Sequence, residues 1–161
     1  MSQLVLQSFA PLGLSGERTA LAGPAGRELQ RRQRGFQLKY PARERLAQEL
    51  FNLIDPQVTA SWHGAGANPA SAEAVAAGLR FLLLLSPAFL VDIDISPDRD
   101  GAVSFDWFVN ARKQLSISFG PTGELHYAAI LGPVERASGR LLFDDSLPEE
   151  IARLFGRITR T

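Results

Sequence analysis

The chain has 161 residues, of which 45% are hydrophobic and 21% are charged, and this fits a single globular domain with a modest core. It contains no cysteine, which excludes disulfides, thiol nucleophiles and cysteine metal sites and favours a reducing, cytoplasmic environment. The net charge is zero, but residues 1–45 carry eight Arg or Lys against three Glu, a local balance of +5 that the rest of the chain offsets.

Residues 1–35 are predicted to form a basic, largely irregular N-terminal arm, because glycine and proline interrupt every regular pattern there. Residues 36–161 are predicted to form a single α+β domain. Phe36–Tyr40 alternates with period two and is interpreted as a short strand or an extended lead-in. The N-terminus lacks the pattern of a signal peptide, and no apolar run approaches the length of a membrane span, so no membrane contact is expected.

Two N-terminal helices are predicted before the strands. The first begins at Pro41 and stops at Asp55-Pro56, because the residue before proline avoids the helical region. The second begins near Pro69 with Asn68 as its N-cap, and it ends at Ser86-Pro87. Its sides are apolar nearly all round, so it is expected to be buried.

A four- to five-stranded antiparallel meander follows, because apolar and polar residues alternate in four segments separated by short turns. Gly132-Pro133 and Gly139 are interpreted as a loop. Leu141–Phe143 is a candidate fifth strand at the edge. Matching apolar positions pairs Ile95 with Val103, Val103 with Phe119, and Phe119 with Leu125. This register predicts two rows on the polar face, namely Asp94–Ser104–Ser118–His126 and Asp92–Asp106–Ser116–Ala128.

An amphipathic C-terminal helix is expected to pack on the sheet. Its apolar stripe is Ile151, Leu154, Phe155 and Ile158. Ser146 and Glu149 have the spacing of a capping box, in which each side chain accepts a backbone N–H of the other residue.

The later part of the chain resembles a group of short, uncharacterised bacterial proteins. The resemblance covers about the last 70 residues, with some similarity around Trp62–Pro69 and the second helix. It implies a bacterial or phage-borne origin and brings no activity or site residues. The matching motifs are Asp98-x-Asp100-Gly101-x-Val103-x-Phe105-x-Trp107, Ser116-Ile117-Ser118, Gly123-x-Leu125-x-Tyr127-Ala128 and Asp145-Ser146-Leu147-Pro148.

The candidate binding residues all belong to the polar face. Aspartates on neighbouring strands favour Mg²⁺ or Ca²⁺ chemistry, and a metal-dependent hydrolase or nuclease is therefore one alternative. However, Asp94 and the residues after it do not match the calcium-loop template, and no metal or cofactor is expected. The predicted binding set is Asp92, Asp94, Asp106, Ser116, Ser118 and His126.

Other constellations give weaker indications of function. Ser118 and His126 suggest a hydrolase pair, but no oxyanion hole accompanies them, so a surface histidine is the preferred interpretation. The Gly-rich segment Trp62–Asn68 precedes a helix, as anion sites do, but it matches no phosphate-binding pattern.

The basic run Arg31, Arg32 and Arg34 precedes aromatic residues, which suits contact with nucleic acid or an acidic partner. A solvated arm that docks on its own body is the preferred alternative. The sequence thus favours a small non-catalytic interaction protein, of the antitoxin, immunity or accessory type, whose partner is another protein.

Overall fold

The computed structural model of the chain describes residues 41–159, and within this range the architecture is α+β as predicted. Its α-helices are α1 Pro41–Asn52, α2 Pro56–His63, α3 Ala72–Leu84 and α4 Glu149–Ile158, with a 3-10 turn at Pro87–Phe89. Its strands are β1 Ile93–Pro97, β2 Val103–Asn110, β3 Lys113–Phe119, β4 Glu124–Ile130 and β5 Arg136–Leu142. The predicted arm and the alternating segment Phe36–Tyr40 lie outside the described residues.

α1 ends at Asn52, three residues before the predicted stop at Asp55-Pro56, and this pair begins a helix that the sequence pattern did not predict. The carboxylate of Asp55 accepts the backbone N–H of Gln57 at 2.9 Å and so caps α2, and Pro56 occupies the first turn. The same residue pair therefore separates two helices, because proline is excluded from a helix interior but suits a helix start.

The central helix α3 begins three residues later than predicted. Its N-cap is Ser71, whose hydroxyl accepts the backbone N–H of Ala74 at 3.0 Å, so Asn68 is not the cap. The prediction that α3 is buried is confirmed along the side that meets the sheet and α1. Leu83 and Leu84, in contrast, are exposed.

The sheet is a meander in which each strand pairs with the next one in the chain. The predicted pairs Val103 with Phe119 and Phe119 with Leu125 are confirmed. Alternate residues of β1 to β4 are buried against the helices, and these form one core with the apolar stripes of α1, α3 and α4.

The predicted pairing of β1 with β2 is wrong by two residues. Ile95 pairs with Phe105 rather than Val103, because the connecting turn is centred on Asp100, one residue later than the predicted pairing requires. The N–H of Asp98 donates to the carbonyl of Ala102 at 2.9 Å, and Gly101 adopts a φ of 87° that L-residues rarely adopt. A shift of two residues preserves the faces of the strand, so the core side remains apolar.

β5 is longer than the predicted edge strand and contains Gly139, which the sequence analysis assigned to a loop. Gly139 pairs with Tyr127 on β4, and a Cβ at this glycine would lie 2.6 Å from the Tyr127 hydroxyl oxygen. The tyrosine ring therefore covers the glycine, and it supplies the packing that the glycine cannot provide.

The predicted apolar stripe of α4 is confirmed, since all four residues are buried, but the capping box is wrong. The hydroxyl of Ser146 donates to the Asp144 carboxylate at 2.6 Å, and the N-cap is Pro148, which makes no side-chain capping bond. Glu149 contacts Arg153 one turn later, at 2.7 Å. The Ser146 hydroxyl thus bonds to the nearby Asp144 carboxylate and does not cap the helix.

We expect Gly139→Val to lower the free energy of unfolding by about 1–3 kcal/mol, because the new methyl groups displace the Tyr127 ring. Gly156→Ala is the matched change in α4, where a Cβ has no heavy atom within 4 Å. It should raise the free energy of unfolding by about 0.5–1 kcal/mol. Urea unfolding followed by circular dichroism measures both values.

The Tyr127→Ala background provides the control for the first variant. Without the ring, Gly139→Val should cost little, because valine is favoured over glycine in a strand. An equal loss of stability in both backgrounds would contradict the role given to Tyr127.

Candidate functional site

Within residues 41–159, the helices pack on one face of the sheet. The side chains of the other face range from buried Ser104 to exposed Phe108. We call this surface the open sheet face. Three rows of its outward side chains cross the strands from β1 or β2 to β5, and the pair Glu124 and Leu142 extends the face beyond the third row. The rows are Phe108–Gln114–Ile130–Arg136, Asp94–Asp106–Ser116–Ala128–Ser138 and Ser96–Ser104–Ser118–His126–Arg140.

The structure places five of the six predicted binding residues on this face, but in different rows. Asp94 lies opposite Asp106, in place of the predicted Asp92. Ser118 and His126 are direct neighbours, as predicted, but Asp94 is not in their row. The difference follows from the position of the β1–β2 turn, which is centred one residue later than predicted and so moves β1 by two residues against β2.

Asp92 is the residue that the prediction misplaced. It precedes β1, it is exposed, and its backbone has a φ of 53°, which removes it from the sheet ladder. Asp92 nevertheless borders a surface depression at the end of β2, together with Trp107 and Phe108. Asp92 thus lies beside the open sheet face rather than within it.

The environment of Asp106 disfavours its negative charge. Burial raises the pKa of the Asp106 carboxyl above its usual range, and the nearby charges of Asp98 and Asp94 raise it further. The Ser116 hydroxyl donates a hydrogen bond to the carboxylate and partly opposes these effects. On the acidic side of the open sheet face, a serine hydroxyl thus partly offsets the effect of burial on the Asp106 carboxylate.

Asp98, which belongs to the β1–β2 turn, also accepts a hydrogen bond from a serine hydroxyl. Its side chain accepts the hydroxyl of Ser104 at 2.7 Å, and Ser104 is buried as a result. Its proximity to Asp106 depends on how the turn folds, so strand alternation alone could not reveal it.

The side chain of His126 contacts a glutamate rather than Ser118. The ring Nε2 of His126 lies 3.3 Å from the Glu124 carboxylate, two residues away on the same strand. Glu124 in turn lies 3.9 Å from Arg140 on β5. His126 thus belongs to a surface charge group rather than to a serine–histidine pair.

Four functional candidates on the open sheet face were missed by the sequence analysis. Arg136 and Arg140 give β5 a positive charge, opposite in sign to the carboxylates on β1 and β2. Phe108 is 61% exposed, and Ile130 lies two strands away in the same row. The alternation of Arg136 to Leu142 was present in the sequence, but Gly139 concealed it.

The acidic residues do not form a recognisable metal centre. Within residues 41–159, no group of three or more His, Asp or Glu side chains is arranged to hold a metal ion. The carboxylates of Asp98 and Asp106 instead accept hydroxyl hydrogen bonds from serines.

The Gly-rich segment Trp62–Asn68 holds the β1–β2 turn in place. The ring Nε2–H of His63 donates to the carbonyl of Pro97 at 2.6 Å. The backbone N–H of Asn68 donates to the carbonyl of Arg99 at 3.3 Å, and that of Ser71 to Gly101 at 2.8 Å. These bonds explain the segment without a bound anion.

The remaining predicted site residues, Arg31, Arg32 and Arg34, lie outside the described residues. None of the helices in the described part of the chain has both the length and the apolar character needed to cross a bilayer. Comparisons with protein-family models, curated proteins and solved structures found no match to this chain.

The raised pKa of Asp106 predicts a pH dependence of stability. Between the ordinary and the raised value, the folded protein retains a proton that the unfolded chain has lost, so the free energy of unfolding falls as pH rises. This contribution is complete below the ordinary value and lost above the raised one. Asp106→Asn removes it, and the stability of the variant relative to the parent should therefore increase with pH across this window. Urea unfolding at several pH values measures the difference.

Carboxyl NMR titration of Asp94→Asn provides the control. The pKa of Asp106 should fall in this variant because one nearby negative charge is gone. It should stay above the ordinary value because burial is the main cause. An Asp106 pKa at the ordinary value in the parent would contradict the assignment.

Proposed function

We propose that this is a non-catalytic interaction protein that binds another protein through the open sheet face. The observation that carries the proposal is the one-sided packing of the sheet. The helices α1, α3 and α4 bury the apolar face, whereas the opposite face combines an exposed aromatic ring with charges of both signs.

The apolar residues distinguish the open sheet face from an ordinary solvated sheet. Phe108 and Ile130 lie in one row, and Ala128 lies beside them in the next. Together they border a surface depression that lies along the first two rows, near the β2–β3 turn. Aromatic residues and arginine are enriched at the centres of protein interfaces, and arginine is also present here as Arg136.

The backbone that carries these residues is well suited to a preformed surface. Every residue of the three rows lies on a strand that is hydrogen-bonded to at least one neighbour. Strands hold side chains more rigidly than loops do, so little ordering is needed when a partner binds.

The polar groups support a binding role more than a catalytic one. Asp106 and Asp98 accept hydrogen bonds from Ser116 and Ser104, and His126 contacts Glu124. These contacts fix the shape and the charge of the surface. An antitoxin, an immunity protein or an accessory factor acts in this way, by covering a surface of another protein, and the cysteine-free chain fits a partner in the bacterial cytoplasm.

Site-specific photo-crosslinking in the native host tests the proposal. A photoreactive amino acid replaces Ser138 on the open sheet face in one strain and Ala152, on the exposed side of α4, in another. We expect a discrete adduct from position 138 and none from position 152. Adding Phe108→Ser should reduce the yield from position 138 by about tenfold, because an exposed aromatic ring that a partner buries contributes strongly to binding.

Circular dichroism of Phe108→Ser provides the folding control, and Val134→Ser is the matched change of an exposed apolar residue outside the strands. Val134→Ser should leave the adduct unchanged. The proposal fails if position 138 gives no adduct, or if both positions give the same adducts.

A further inference from the structure

We infer that the protein which covers the open sheet face is a second copy of this chain, in a face-to-face dimer whose two-fold axis runs along β3. The inference rests on the proposed function, because it names the partner of that surface. It follows from the order of residues in the three rows, which is complementary to itself under one rotation.

β3 is the middle strand of five, so it can contain the symmetry axis. A two-fold axis parallel to β3, and lying between two facing sheets, places β2 over β4 and β1 over β5 of the other copy. Each row then faces the same row of the second copy. In such an isologous contact, every pairing occurs twice.

The apolar residues of the first row match under this rotation. Phe108 on β2 and Ile130 on β4 share a row and flank β3 symmetrically, with Gln114 between them. Phe108 of each copy therefore falls on Ile130 of the other. The pairing covers two aromatic rings that are 61% exposed in the single chain.

The charges match under the same rotation. Asp94 on β1 faces Ser138 on β5 of the second copy, because both belong to the same row. Ser138 is flanked by Arg136 and Arg140, two residues away on either side, so the carboxylate falls between two cations. A two-fold axis across the strands would instead place β1 on β1 and β5 on β5, which opposes like charges.

The residues on the axis permit close approach. The β3 side chains that face their own counterparts are Gln114, Ser116 and Ser118, which are uncharged. In the row of Asp94, Asp106 falls on Ala128, whose methyl group leaves room for the carboxylate. Small central side chains allow two sheets to approach the usual separation of about 10 Å.

The area of the contact is sufficient for a reversible dimer. Five strands about 4.8 Å apart and about seven residues long cover roughly 500 Å² in projection. The accessible area is larger because the side chains project, so the contact approaches the roughly 800 Å² per partner of a standard interface. With charges at its margins, the dimer should weaken as salt rises.

Charge exchange tests the inference with the full chain. Asp94→Arg and Arg136→Glu both change exposed residues, and each should raise the dimer dissociation constant by about tenfold or more. Arg136 is preferred to Arg140 because Arg140 already lies near Glu124. Sedimentation velocity over a concentration series measures the dissociation constants, and circular dichroism verifies the fold of each variant.

An equimolar mixture of the two variants gives the decisive result. In the mixed dimer, the arginine at position 94 of one copy lies near the glutamate at position 136 of the other, so these charges are again opposite. The second contact joins the unchanged Asp94 and Arg136. We therefore expect the mixture to associate at least about tenfold more tightly than either variant alone. Glu44→Arg, a matched change at an exposed site on α1, should have no effect.

The outcomes separate the inference from the proposed function. The inference is overturned if the parent chain is monomeric, if Asp94→Arg and Phe108→Ser leave association unchanged, or if the mixture associates no better than its components. In those cases, an adduct between position 138 and a different protein would still uphold the proposed function. If position 138 gives no adduct at all, the proposed function fails as well.

Discussion

The ring of Phe81 lies where α3 meets the sheet, and it packs against aromatic rings from three other parts of the described chain. Its centroid lies 5.8 Å from that of Phe105, 5.1 Å from that of Phe119 and 6.1 Å from that of Phe143, and the side chain is fully buried. Each such aromatic pair contributes about 0.5–1.5 kcal/mol beyond the burial of its surface. These contacts join a helix, two strands and the segment after β5, so they fix the distance between the layers.

One-sided packing around this cluster produces the open sheet face. A second aromatic group at the end of the sheet, where Trp107 meets Phe155 at 4.9 Å and donates its indole N–H to the carbonyl of Phe89, also faces the helices. Phe105, Trp107 and Phe119 thus all lie on the side of the sheet that faces the helices. Phe108 points the other way because it follows Trp107 along the strand, and this alternation exposes it.

The sequence predicted those features that depend on local periodicity. The apolar stripe of α4 is predictable because an amphipathic helix has apolar residues on its buried side in every turn. The register of β2, β3 and β4 is predictable from Val103, Phe119 and Leu125, because a slip of one residue would expose these core side chains. The β1–β2 pairing was missed because a shift of two residues leaves the faces unchanged. Asp92 was therefore assigned a position that Asp94 occupies.

The α+β class, the sidedness of the strands and the polar character of the open sheet face follow from which residues are apolar and how these are spaced along the chain. The contacts between residues of the sheet that are distant in sequence arise from the folded chain. Asp98 reaches Ser104 through a turn, Tyr127 covers Gly139 on the neighbouring strand, and β5 brings Arg136 and Arg140 to the margin opposite Asp94. Such contacts depend on turn conformation and strand order, which periodicity does not encode.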